Sequence, residues 1–185
     1  VASPPLSGEV ASIATEAAVE IARFDAEVGG DLAPFEPLLL RSEAAASSQI
    51  ENLTASAKAI ALAELDEGKR TRNASIIVAN TRAMQAALSL ADRLDEQAIL
   101  DMHEALLGAS DPDAVGHWRT EQVWIGGRAP SPHGALFVPP VHQRVPAAMA
   151  DLVTFMRRYD LPPLVLATIA HAQFETIHPF PDGNG

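Results

Sequence analysis

Apolar residues recur three and four positions apart along almost the whole chain, and that spacing restricts the fold to one built mainly of helices. Val10, Ile13, Ala14, Ala17, Ile21, Phe24 and Val28 fall on one face, and the pair Gly29-Gly30 is expected to end that helix. A second helix is predicted to start near Pro34 to Pro37 and to carry Leu38, Leu39 and Leu40 towards Leu53. Within it, the small residues from Ala44 to Ser48 would let another backbone or a ligand come close. Ala55 to Leu65 reads as a third helix, and Asp66-Glu67-Gly68-Lys69-Arg70 as a solvated connection. Further helices are predicted over 74–94, 96–107 and 145–159, with a loop from Gly108 to Gly116. Leu161 to Ile177 is apolar nearly all round, which predicts a helix buried in the centre of its domain. The main boundary is expected after Arg72, separating an N-terminal helical region (1–72) from a core (73–185).

One stretch breaks the helical pattern. Gln122-Val123-Trp124-Ile125 and Ala135-Leu136-Phe137-Val138 are β-prone and flank a loop rich in Gly and Pro, so a hairpin is expected before Pro139-Pro140. Composition supports the helical reading, since aromatics are only 5% of the chain while Ala and Leu abound. The 185 residues, 48% of them hydrophobic, suffice for a real core. No cysteine is present, which excludes disulfides and thiolate metal sites and suits a reducing cytoplasm. No signal-peptide pattern opens the chain, and the longest apolar run is too short to cross a bilayer, so neither secretion nor membrane insertion is expected. The net charge of −11 lacks the basic face of a nucleic-acid binder; the densest basic cluster, Lys69, Arg70 and Arg72, sits among acids.

The apolar segment leads straight into His178-Pro179-Phe180-Pro181-Asp182-Gly183-Asn184-Gly185. A histidine titrates nearest neutrality and is the natural proton acceptor at working pH. Asp182 offers the hard oxygen that Mg²⁺ prefers, with phosphate oxygens and water completing the shell. Gly183-Asn184-Gly185 would let successive backbone N–H groups turn towards one point, as in a phosphate-binding nest. His-Pro or Asp-Gly alone would signal only a helix-ending turn. Six specified positions in one string weigh against that reading.

This string resembles the signature of the Fic family, His-x-Phe-x-Asp/Glu-Gly-Asn-Gly followed by two arginines. The resemblance extends through Gly116-His117-Trp118-Arg119, Val138-Pro139-Pro140 and Ala170-His171-Ala172-Gln173-Phe174. It implies a mainly α fold: a Fic-type helical core with a short β-hairpin flap, preceded by N-terminal helices. The implied activity is protein AMPylation, the transfer of AMP from ATP to a hydroxyl side chain of a target protein. His178 would deprotonate that hydroxyl and Asp182 would hold Mg²⁺. Gly183, Asn184 and Gly185 would bind phosphates, Phe180 would anchor this nucleotide-binding loop in the core, and Gln173 would also reach the nucleotide. The two signature arginines fall beyond Gly185, so the segment by itself is expected to be inactive.

The same resemblance makes the hairpin a flap on which a target backbone pairs as an added strand, with Trp124, Ile125, Gly126 and Gly127 as docking residues. Ser47-Ser48-Gln49-Ile50-Glu51-Asn52 matches the family's inhibitory pattern, Ser/Thr-x-x-x-Glu-Gly/Asn, and places Ser47, Glu51 and Asn52 in an N-terminal inhibitory helix. His103, His117, His133, His142 and His171 show no metal-ligand spacing. The same base, metal and nest would also serve removal of AMP or transfer of another phosphoryl group, and a non-catalytic regulatory module is the rival from a different class. Partners on this reading are ATP and a protein target, and a homo-oligomer is compatible with it.

Overall fold

The computed structural model describes residues 4–50, 52–65, 71–126 and 131–184. The chain forms two compact units: one of Val1–Ala26, Leu94–Glu96 and His117–Gly185, the other of Glu27–Arg93 and Gln97–Gly116. Helix α1 (Gly8–Leu32) runs straight through Gly29-Gly30, contrary to the expected stop. A glycine costs about 1 kcal/mol in a helix interior but keeps its N–H, so the hydrogen-bond ladder continues past it. The helix gives way at Pro34, which disfavours helical backbone in the residue before it. There the chain tightens into a 3-10 turn over Ala33–Phe35.

The second unit is built on α2 (Glu36–Ile50), α3 (Ala57–Glu64) and α4 (Arg72–Ser89). Ser56 caps α3 by accepting the Ala59 N–H, and Thr71 caps α4 by accepting that of Ala74. Ala44, Ile60, Ala63, Ala74, Ile77 and Val78 form their shared core. The small residues of α2 serve this close approach, because Ala44 is fully buried and Ser48 nearly so. Ser48 Oγ donates to the Ala44 carbonyl (2.7 Å) and accepts from Asn80 Nδ2 (2.8 Å), which ties α2 to α4 with no donor wasted. Helix α5 (Glu96–Leu107) has the predicted limits and buries Ala98 and Ile99.

In the first unit, α6 (Val145–Met156) packs against α7 (Pro163–Ile177). Helix α6 is shorter than its apolar pattern, because Leu161-Pro162-Pro163 must follow; Arg158 pairs instead with Asp160 (2.6 Å). Helix α7 is not buried all round as its composition suggested. It buries Val165, Ala170 and Ile177 and exposes Leu164, Thr168, Ala172 and Thr176. Its exposed threonines return their hydroxyls to the helix, Thr168 to Leu164 O and Thr176 to Ala172 O, both at 2.7 Å.

The expected hairpin is reduced to one antiparallel bridge, Ile125 with Phe137, among the described residues. Ile125 N–H donates to Phe137 O (2.8 Å), and Leu136 N–H to Ile125 O (2.8 Å). Gly126, at φ 73°, turns the chain out of the extended region directly after Ile125. On the other arm, Pro139 and Pro140 have no N–H to extend the ladder. Gln122 Nε2 takes over by donating to Pro139 O (2.9 Å). Among the described residues no helix is long and apolar enough to cross a membrane.

The α2–α4 contact has no room for a larger side chain at Ala44. Ala44→Leu is expected to destabilise the protein by about 1–3 kcal/mol through overpacking, measured as a lower urea midpoint. An unchanged midpoint would show that this contact is not tightly packed.

Candidate active site

Three residues around His178 are driven inward: Ile177, Pro179 and Phe180 are all fully buried. To bury both Ile177 and Phe180, the chain must leave α7 sharply. It does so with His178 in the left-handed region (φ 49°, ψ 65°) while its N–H closes the last turn onto Phe174 O (2.8 Å). Left-handed backbone is unfavourable for a residue with a Cβ, so the surroundings must hold it. Phe180 supplies one restraint, packing on Trp118 (ring centroids 5.3 Å) and Phe174 (6.3 Å).

Arg119 supplies another. It is only 3% exposed, and its guanidinium is surrounded by main-chain oxygens. Nε donates to His178 O (2.8 Å), Nη1 to Glu121 O (2.8 Å), and Nη2 to Pro140 O (2.5 Å) and, more weakly, Ile177 O (3.4 Å). Its backbone N–H donates to Pro179 O (2.8 Å). Sequence reasoning placed Arg119 within a resemblance but gave it no task. A lone arginine in a Trp-Arg pair carries no spacing signal, and its partners are carbonyls, which no side-chain pattern reveals.

Beyond Phe180 the loop is clasped by Asn184. Its Oδ1 accepts the Phe180 N–H and its Nδ2 donates to Phe180 O, both at 2.9 Å. The Asn184 side chain thus holds the loop. Gly183 sits at φ 74°, a conformation that favours glycine, and donates its N–H to Asp182 Oδ1 (2.8 Å). An anionic oxygen therefore already rests on a backbone donor of this loop. Asp182 is exposed at its edge.

His178 is half-buried, and its Nδ1 is sealed from solvent. Burial pushes the imidazole below its ordinary range. The Glu175 carboxylate works against that shift, the Arg119 guanidinium adds to it, and the Glu175 backbone and Asp182 oppose it more weakly. Burial likewise lowers the Arg119 guanidinium. A neutral imidazole is the form able to accept a proton.

The remaining expected site residues are dispersed. Gln173 lies exposed on α7, Trp124 is half-buried, Ile125 is in the bridge and Gly126 is exposed. A Cβ on Gly126 would come within 2.7 Å of Leu136 Cγ. Ser47 is exposed on α2, while its neighbour Ser48 is the buried one. Asn52, at φ 60°, takes the left-handed position that ends α2, its N–H on Gln49 O (3.0 Å). Gly185, Gly127 and Glu51 lie outside the described residues. Among the described residues no three His, Cys, Asp or Glu side chains gather to hold a metal ion. A lone exposed carboxylate such as Asp182 would suit Mg²⁺, which takes one or two protein oxygens and completes its shell from phosphates and water.

The chain is similar to known proteins in sequence and in fold. The Fic/DOC family profile matches residues 93–185, and the Fic/DOC family N-terminal profile matches residues 13–89. Over 90 residues the chain is 36% identical to a protein adenylyltransferase, fic-1 of Caenorhabditis briggsae, covering 47% of this chain and 16% of that one. Over 87 residues it is 38% identical to protein adenylyltransferase Fic of Drosophila willistoni, again 47% of this chain and 16% of the relative. The matched stretch is thus about a sixth of the length of these relatives. A Fic family protein of Desulfovibrio desulfuricans superposes with a TM-score of 0.77 at 25% identity, over 100% of this chain and 56% of its own. The chain belongs to the Fic/DOC family.

Proposed function

We propose that this chain carries the base-bearing loop of an enzyme that transfers AMP from ATP to a protein hydroxyl. The observation that carries the reading is a half-buried imidazole of lowered basicity at the head of a loop clasped by the Asn184 side chain. His178 takes the proton of the target hydroxyl at Nε2 while Nδ1 keeps its own. The hydroxyl oxygen then bonds to the α-phosphorus of ATP, and the bond from that phosphorus to the bridging oxygen breaks. Pyrophosphate leaves with the electron pair. Gly183, Asn184 and Gly185 receive phosphate oxygens on their main chain, Phe180 anchors the loop beneath them, and Gln173 borders the nucleotide. Asp182 would hold Mg²⁺, which when bound neutralises phosphate charge. The target backbone pairs beside Trp124, Ile125, Gly126 and Gly127, a reading supported by the extended pairing of Ile125 with Phe137 among the described residues. The cysteine-free composition fits a cytoplasmic setting.

The full-length protein, given ATP, Mg²⁺ and cell lysate, should attach label from the α-phosphate to protein and none from the γ-phosphate. His178→Ala should reduce that labelling by about 10² to 10⁴, the usual worth of a general base. Label arriving from the γ-phosphate would make the loop a phosphotransferase. Release of AMP from modified protein would make it a de-AMPylase. No labelling from either position, with no release, would favour a binding module.

Regulation by Glu51 belongs to the same reading, supported by the pattern Ser47-x-x-x-Glu51-Asn52. A carboxylate that competes with ATP phosphates needs to disfavour the competent pose by only about 1.4 kcal/mol to change the rate tenfold. Glu51→Gln, Glu51→Ala and Glu51→Gly should each raise transfer by the full-length protein. Activation by glycine alone would assign the effect to helix loosening, and activation by none would remove Glu51 from the account.

A further inference from the structure

We propose that Arg119 is a positioning residue for His178: its guanidinium holds the Ile177 and His178 carbonyls, its backbone N–H holds that of Pro179, and together they keep the imidazole in its left-handed, half-buried pose. The assignment of AMP transfer rests on the preceding section; the positioning role rests on the geometry. The last carbonyls of a helix have no partner within it and ordinarily turn to water or a glycine cap. Here three consecutive carbonyls, those of Ile177, His178 and Pro179, all receive N–H groups of one arginine. The same fork reaches Glu121 O and Pro140 O, so it links the segments on either side of the Ile125–Phe137 bridge to the end of α7. Only a planar guanidinium presents donors in enough directions to do this, and a lysine ammonium would not span them.

The loop is thereby held by two devices with separate jobs. Arg119 grips the main chain around His178, while Asn184 grips Phe180. Loosening the first should disturb the base while leaving the glycine loop in place. The groups that bear on His178 charge are Glu175 of α7, Arg119 and Asp182. Burial and the Arg119 charge favour the neutral imidazole, so it persists to lower pH than the ordinary value of 6.5. Loss of the grip exposes the ring, and loss of the charge acts in the same direction, so the imidazole should then titrate at higher pH.

The test uses the full-length protein and its Arg119→Lys and Arg119→Gln variants. Both are expected to fold, to lose about tenfold to 10² in kcat, and to keep KM for ATP nearly unchanged, the signature of a misplaced group. The acid limb of the rate and the NMR titration of His178 should both move up, more for Gln than for Lys. Glu175→Gln should move the same titration down. Variants with His178 titrating as in the parent, and with kcat per folded molecule unchanged, would overturn the proposal. Should neither variant fold, the parent decides: Arg119 Nε–H should exchange slowly and couple across its hydrogen bond to the His178 carbonyl, whereas a rapidly exchanging guanidinium would overturn it. The titration and exchange measurements require no transfer, so they hold their meaning if the protein proves to move a different group.

Discussion

A guanidinium taken out of water must be compensated, and Arg119 is compensated by the main chain of the segment that carries His178. Desolvating an arginine is costly without good hydrogen bonds. That cost makes the arrangement mutually dependent: the loop cannot drift without stranding the charge, and the charge has few other acceptors at hand. The left-handed backbone at His178 is held by the same balance. Phe180 adds an apolar constraint, filling the space between Trp118 and Phe174. Asn184 then closes the loop with a pair of hydrogen bonds to one residue.

This rigidity bears on chemistry through pre-organisation. A base held in place needs no reordering as the proton moves, and small displacements of a reacting group are expensive in rate. The second unit relies on a different principle, close approach of small residues. Ala44 and Ser48 let α2 sit tightly on α4, and Asn80 donates to the buried Ser48 hydroxyl across the contact. Both units show polar groups placed where burial would otherwise leave a donor or acceptor without a partner.

Helix positions were legible because apolar spacing reports them directly; α5 has the predicted limits. The misreadings have specific causes. Gly29-Gly30 looked like a stop because glycine commonly follows helices, yet nothing forbids it inside one. The β-prone runs around residues 122–138 were read from side-chain preference, while the ladder was limited by the φ of Gly126 and the prolines after Val138. The all-apolar look of α7 overstated its burial, since alanine and threonine are tolerated on exposed helix faces. At the site, His178, Asp182 and the glycine loop were legible as a string. Arg119 was not, because it acts on carbonyls 58 to 60 positions away and leaves no mark in residue types. The paired hydrogen bonds of Asn184 were equally hidden, and they give its side chain a part in supporting the loop.

On the proposed function, the His178 loop directs attack on the α-phosphorus of ATP. Intact-mass spectrometry of the modified protein, followed by fragmentation to locate the adduct, tests it most directly. The expected result is a gain equal to one AMP unit on a hydroxyl side chain, dependent on His178. A gain equal to one phosphate, or an AMP adduct formed equally well by His178→Ala, would contradict it.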